Sequence, residues 1–105
     1  MENRGVKMLA PKRRPTSPGV ILQEHYLIPR AISISGFADL VECSRKHMSR
    51  IINGKTRIEA KMAVKLAKVL DTTPAFWLNL QNAVDLFDAV RAMDGWQPES
   101  QLLSA

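Results

Sequence analysis

The stretch from Ser44 to Lys55, SRKHMSRIINGK, decides the fold of this 105-residue chain. Ser44 is a favoured helix N-cap, because its side-chain oxygen can accept hydrogen bonds from amides two or three residues on. The Asn53-Gly54 pair predicts the end of that helix, since glycine adopts the left-handed conformation that stops one. One apolar stripe at helical spacing lies between these ends: Met48, Ile51 and Ile52. The opposite face is polar and basic: Arg45, Lys46, Ser49, Arg50 and Asn53.

A short helix with an apolar back and a basic front suits the major groove of DNA, where Arg and Lys pair with guanine acceptors. The alternative is an ordinary solvated helix with a cationic face. The preceding segment favours DNA, because Ser33 to Val41 predicts a second short helix capped by Ser33. Glu42 and Cys43 form the turn between them, which gives a helix-turn-helix over residues 33–53. The buried positions of the first helix are predicted to be Phe37, Ala38 and Val41.

This spacing resembles the Xre/Cro-like helix-turn-helix family, whose pattern is roughly L-[ST]-x-x-x-L-A-x-x-L-G-[VI]-S-x-x-x-[IL]-S-x-[IL]-x-N-G. Eleven positions match it or carry conservative replacements: Ile32, Ser33, Phe37, Ala38, Cys43, Ser44, Met48, Ser49, Ile51, Asn53 and Gly54. Glu42 replaces the turn glycine of the pattern, so it is expected to hold a positive φ. Ile34 stands where the family often has a Gln that grips phosphate. The resemblance implies an all-α, five-helix lambda-repressor-like (Xre/Cro-type) DNA-binding domain.

Charge is divided unevenly along the chain. The formal net charge is +5, with +4 on residues 1–30, +5 on residues 31–70 and −4 on residues 71–105. The first two thirds therefore suit a polyanion, and the last third repels one. A single Cys allows no internal disulfide and, with only two His, argues against a structural zinc site. No apolar run is long enough to span a membrane, and we expect a cytoplasmic protein without metal or cofactor.

Three segments are predicted along the chain. Residues 1–17 carry charges and prolines without periodicity, which indicates a flexible basic arm. Its Lys12 to Arg14 run either reaches phosphate or is a solvated tail. Residues 18–93 form the DNA-binding domain, and residues 94–105 form a C-terminal tail. The other helices are predicted from Pro18 to Pro29, from about Glu59 to Leu70, and from Pro74 to about Ala92.

Two flanking blocks narrow the resemblance to the HigA-type antitoxins. RPTSPGVILQEHYLIP (residues 14–29) is similar to their opening, and residues 52–89 are similar to their continuation. The PxFWLNLQ block at residues 74–81 is its most distinctive part. The resemblance implies an antitoxin that represses its own operon and neutralises a small basic HigB/RelE-like mRNA interferase. Two alternatives stay open: a stand-alone phage-type repressor without a toxin, and a purely protein-binding adaptor.

The predicted DNA interface centres on the helix that follows Ser44. Arg45, Lys46 and Arg50 are expected to reach base edges, and Lys55 and Arg57 are expected to hold backbone phosphates. The complete predicted set is Ser33, Ser44, Arg45, Lys46, His47, Ser49, Arg50, Asn53, Lys55 and Arg57. For His47, a phosphate contact and a half-buried neutral ring are both open.

No catalytic set is predicted. His25 and His47 lie on different helices without a Cys or Asp partner at triad-like spacing. Cys43 stands where the family has Val or Ile, so it is interpreted as a small buried hydrophobe rather than a reactive thiol. The sequence therefore predicts a binding protein and not an enzyme.

A homodimer is predicted because one recognition helix covers only a few base pairs. Its half-sites on double-stranded operator DNA would lie about one helical turn apart, ~34–36 Å. The acidic last third of the chain is not expected to contact DNA. The dimer contact is therefore placed on the last helix and the C-terminal segment. Charge favours the same acidic third over the arm as the surface for a basic toxin. The apolar stripe expected to form core, or a dimer or toxin interface, is Phe76, Trp77, Leu80, Val84 and Phe87.

Overall fold

The computed structural model describes residues 13–102, which fold into five α-helices with no strand among them. The helices are α1 (Pro18–Leu22), α2 (Ile34–Leu40), α3 (Arg45–Ile52), α4 (Ala60–Leu70) and α5 (Pro74–Ala92). The all-α class and the five expected helices are confirmed. The last helix, α5, begins at Pro74 and ends at Ala92, as predicted. No helix in this part of the chain is long and apolar enough to cross a membrane.

The first helix is not the single α-helix ending at Pro29 that was predicted. After α1, the chain continues through a π-helical turn, Gln23–Leu27, and a 3-10 turn, Ile28–Arg30. Pro29 lacks the N–H that an α-helix would donate to the carbonyl of His25. The guanidinium of Arg30 donates instead to the carbonyl oxygens of His25 and Tyr26, at 3.5 and 3.1 Å. The proline therefore alters the backbone pattern without ending the helical path.

One apolar core joins the five helices. Trp77 is fully buried, and its indole N–H donates to Thr72 Oγ1 at 2.7 Å. The rings of Tyr26 and Phe76 pack against it with centroids 5.5 and 5.0 Å away. The remaining buried members are Leu22, Leu27, Phe37, Ala38, Val41, Met48, Ile51, Ile52, Ile58, Ala63 and Leu66. The predicted inner faces of α2 and α3 are thereby confirmed.

Four helical segments are each followed by a residue in the left-handed conformation: Ala31, Glu42, Gly54 and Asp71. After α3, the amide of Lys55 reaches back to the carbonyl of Arg50 at 2.8 Å, which closes the helix in a Schellman motif. The positive φ expected at Glu42 is confirmed at 56°. Only one of the four positions is glycine, so the other three carry a backbone cost of about 1–2 kcal/mol each.

The arm and the tail fall partly within the described residues. Positions 1–12 of the predicted arm and 103–105 of the tail lie outside them. Arg14 makes two 2.9 Å hydrogen bonds from its guanidinium to the Asp88 carboxylate on α5. This ion pair attaches Arg14 of the predicted flexible arm to the folded domain.

Candidate nucleic-acid interface

Each helix of the helix-turn-helix, α2 and α3, begins at a serine N-cap. Ser44 Oγ accepts from the amide of His47 at 3.0 Å, and Ser33 Oγ accepts from the amide of Gly36 at the same distance. Each cap satisfies an amide that the first turn of a helix leaves unpaired. The cap roles predicted for the two serines are confirmed, and the helix-turn-helix has the predicted extent.

Gly19 sets how closely α1 approaches the end of α3. A Cβ at this position would lie 2.2 Å from the carbonyl oxygen of Ile51 and 2.6 Å from that of Ile52. Both contacts are to backbone, which cannot rotate away as a side chain can. Any larger residue would therefore push the recognition helix off α1. The sequence identified Gly19 only as part of a helix start, since a close approach of two backbones leaves no periodic signal.

The polar face of α3 is open at its start and internally bonded at its end. Arg45, Lys46 and His47 are exposed. One turn later, Asn53 Nδ2 donates to Ser49 Oγ at 3.3 Å. Ser49 and Asn53 of the predicted set are thus engaged in a hydrogen bond with each other, and contact of the set with DNA stays a prediction.

Arg50 folds back over the turn that follows α3. Its Nε donates to Thr56 Oγ1 at 3.2 Å, and its Nη2 donates to the carbonyl oxygen of Lys55 at 3.3 Å. The side chain therefore braces the loop after the helix. Lys55 is exposed in that loop, where its ammonium is sterically open to a phosphate.

Arg57 is held by a carboxylate rather than left in solvent. Its Nε and Nη2 donate to Asp85 Oδ2 of α5 at 3.1 and 2.5 Å. The Asp85 carboxyl is partly buried, which acts to raise its pKa, but the hydrogen bonds from Arg57 and Gln81 outweigh this effect and leave the pKa below its ordinary value. The phosphate contact predicted for Arg57 therefore has an internal competitor that the sequence did not indicate.

Gln81 connects the core of α5 to the loop between α3 and α4. Its buried Oε1 accepts from the amide of Ile58 at 2.8 Å, and its Nε2 donates to Asp85 Oδ1 at 3.0 Å. The Ile58 amide lies between the turn after α3 and the start of α4, so Gln81 anchors the segment that carries Lys55 and Arg57. Sequence reasoning missed this role; the only available signal was the position of Gln81 at the end of the PxFWLNLQ block.

Three of the five residues assigned to a dimer or toxin interface are buried within the chain itself. Trp77, Val84 and Phe87 are 0, 3 and 8% exposed, so their apolar surface is not available to a partner. The sequence left core and interface open for these three residues, and their burial excludes the interface alternative. Phe76 is 38% exposed and Leu80 is half-buried, so for these two the interface stays a prediction.

Cys43 is half-buried in the turn between α2 and α3 and packs against the core. Burial raises the pKa of its thiol, and its Sγ donates to the carbonyl oxygen of Ser44 at 3.4 Å. A raised pKa disfavours the nucleophilic thiolate. These features agree with the packing role predicted for the residue.

Comparison with known proteins places this surface in a family. The helix-turn-helix family profile matches residues 25–77. The chain is 54% identical over 76 residues to an uncharacterised HTH-type transcriptional regulator of Haemophilus influenzae, covering 72% of this chain and 71% of that one. It is 44% identical over 77 residues to antitoxin HigA-1 of Vibrio cholerae, covering 73% and 72%. The structure of antitoxin GraA in complex with its operator matches with a TM-score of 0.79 at 35% identity, over 92% of this chain and 99% of that one. The chain therefore belongs to the Xre/Cro-like helix-turn-helix family, among its HigA-type antitoxins.

Proposed function

We propose that this protein binds operator DNA through α3, represses its own operon and neutralises a small basic toxin of the HigB/RelE kind. The observation that supports it most directly is the double-capped helix-turn-helix, which exposes Arg45, Lys46 and His47 at the start of α3. Structural relatives that include GraA bound to its operator support the same assignment. DNA recognition then follows from a basic helix in the major groove, with flanking cations on phosphates.

The two kinds of contact are separable by experiment. Arg45→Ala removes a base-edge contact, which costs about 1–3 kcal/mol of discrimination, so binding to the operator should weaken more than binding to a scrambled duplex. Lys55→Ala removes a phosphate contact, so both duplexes should weaken alike and the salt slope should flatten by about one. Fluorescence anisotropy with DNA from upstream of the native reading frame measures both effects. Equal losses on the two duplexes for Arg45→Ala would refute its base-reading role.

Arg50 is also proposed to contact a base edge, after its side chain is released from the loop that follows α3. Its hydrogen bonds to Thr56 and to the carbonyl of Lys55 must break before the guanidinium can extend to a base. Ser33, Ser44, Ser49 and Asn53 complete the interface as caps and short polar contacts. His47 stands beside Lys46 and is proposed to donate to a base edge or a phosphate.

The proposed homodimer uses the outer face of α5. Leu86, Val90 and Met93 follow one another at intervals of four and three residues and are 66, 48 and 52% exposed. This face lies on the opposite side of α5 from the buried one, so α5 carries apolar side chains on two sides. Two copies joined along it would present two recognition helices to successive major grooves. Leu86→Glu should therefore shift the molecular mass seen by light scattering from dimer to monomer, and an unchanged mass would reject this interface.

A toxin partner is proposed on family grounds and on the charge of the last third. Two of its carboxylates, Asp85 and Asp88, are paired with arginines, whereas Asp71, Asp94 and Glu99 form no ion pair among the described residues and are proposed to face a basic partner. Co-purification with the tagged product of the adjacent reading frame tests the partnership. Recovery of a small basic RNase in inactive form supports the antitoxin role. Recovery of this chain alone, still binding its promoter, favours the stand-alone repressor that the Haemophilus relative's name is consistent with.

A further inference from the structure

Two ion pairs tie α5 to the loop after α3 and to the segment before α1. Asp85 holds Arg57, three residues past the Gly54 that follows the recognition helix, and Asp88 holds Arg14, which precedes α1. The two carboxylates are three residues apart on α5 and therefore lie on one side of it. Both pairs line a single polar cleft that also includes Gly19, Lys55 and Thr56.

The Arg14–Asp88 pair is shaped like a contact between arginine and phosphate, whereas Arg57 directs its two donors to a single oxygen of Asp85. Arg14 presents Nε and Nη2 to the two oxygens of Asp88, both at 2.9 Å. Guanidinium binds phosphate oxygens with the same fork of parallel hydrogen bonds. The carboxylates consequently occupy the donors that a phosphate would use.

The pairs are also exposed enough to exchange partners. The Arg57 and Asp85 side chains are 45 and 40% exposed, and those of Arg14 and Asp88 are 49 and 52% exposed. Exposed ion pairs contribute little to folding, because water screens the charges and ordering the side chains costs entropy. Their larger effect is on the charge that the neighbouring surface offers to a polyanion.

We propose that Asp85 and Asp88 are intramolecular counterions that compete with DNA phosphates for Arg57 and Arg14, so that α5 sets the affinity and salt dependence of DNA binding. This inference rests on the proposed binding of operator DNA. In the free protein the two arginines are neutralised in place. DNA must displace a carboxylate before it gains either contact, which lowers affinity for operator and random sequence alike, because phosphate contacts carry no sequence information.

The test uses amide variants of the full-length protein. Asp85→Asn removes the charge but keeps an oxygen that can accept from Gln81 Nε2, and Asp88→Asn lies outside that hydrogen-bond chain. Asp94→Asn is the matched control, since it changes the net charge equally on an exposed residue beyond α5. Fluorescence anisotropy over roughly 50–200 mM salt gives the slope of log K against log salt for an operator duplex and a scrambled duplex. Thermal unfolding of each variant verifies that it is folded.

Each freed arginine should steepen the salt slope by about one phosphate contact. At the lowest salt, each amide variant should bind both duplexes roughly two- to fivefold more tightly than the Asp94→Asn control, a range set by the weakness of exposed ion pairs. Adding Arg57→Ala to Asp85→Asn should return the slope to its original value.

Slopes and affinities equal to those of Asp94→Asn would overturn the counterion role. Weaker binding by Asp85→Asn or Asp88→Asn would also overturn it, since the carboxylates would then orient the arginines for DNA. If the unmodified protein binds neither duplex, the result is a different one: the proposed DNA-binding function is itself refuted, and this inference with it.

Discussion

Replacing Gln81 by leucine should destabilise the protein by leaving the Ile58 amide without a partner. The side chain is 6% exposed, and its Oε1 lies 2.8 Å from that amide nitrogen. Leucine fills most of the buried volume but offers no acceptor. The free energy of unfolding should therefore fall by the cost of leaving a buried N–H unpaired, about 1–3 kcal/mol. The lost donor to Asp85 adds little, because that carboxylate is partly exposed and can bond to water.

Thermal unfolding followed by circular dichroism at neutral pH measures this effect. For a domain of this size, each kcal/mol corresponds to about 4–8 °C in Tm, so a decrease of at least about 4 °C is expected. Native-state hydrogen exchange gives a local readout, since the Ile58 amide should exchange faster in the variant. Asn82→Leu is the control: this neighbouring amide side chain is exposed, and its replacement should change stability by no more than about 0.5 kcal/mol. Equal Tm values for Gln81→Leu and Asn82→Leu, with unchanged exchange at Ile58, would refute the role assigned to Gln81.

Three further predictions address the backbone and the ion pairs. Gly19→Ala should destabilise the fold by about 1–3 kcal/mol or more and weaken operator binding, because the added Cβ would clash with the backbone of α3. Urea unfolding measures the loss of stability. Gly95→Ala is the control, because a Cβ at that position meets nothing within 4 Å. Glu42→Gly should stabilise the protein by about 0.5–1 kcal/mol, since relief of left-handed strain exceeds the added entropy of the unfolded chain; the same unfolding experiment would contradict this if the midpoint fell. The hydrogen bonds from Arg14 lower the pKa of Asp88, so the pair stabilises the fold above the unfolded-state pKa of about 4 and loses that contribution as pH falls through the lower folded-state pKa. Asp88→Asn should therefore flatten the decline of Tm between about pH 4 and 2, and a decline as steep as that of the unmodified protein would speak against the pair.

Local chemistry made much of the fold predictable from sequence. The serine caps, the Pro74 start and the Gly54 stop each act within four residues, so α3 and α5 could be bounded from composition and spacing alone. The helix through Pro29 was less predictable, because an arginine side chain replaced the missing backbone donor.

Long-range contacts were beyond the reach of periodicity. α5 carries apolar side chains on two sides, and a repeat of three and four residues does not say which side faces the core. From the sequence, core and interface were therefore both open for Trp77, which is fully buried. The contact of Gly19 with α3 and the pairing of Arg57 with Asp85 join residues 28 or more positions apart, and no pattern within either segment encodes them.

The contacts of Asp85 and Asp88 change how the negative charge of residues 71–105 is interpreted. From the sequence, a net charge of −4 on residues 71–105 indicated a segment that DNA repels. In the folded chain, Asp85 and Asp88 on α5 each bind an arginine from the basic part. Their field is therefore largely cancelled locally, and repulsion at a distance is correspondingly small. Under the proposed counterion role, these carboxylates reduce the number of cations that Arg14 and Arg57 can offer to phosphate. The helix that supplies the core residue Trp77 and the anchor Gln81 thus also binds two arginines of the basic part of the chain.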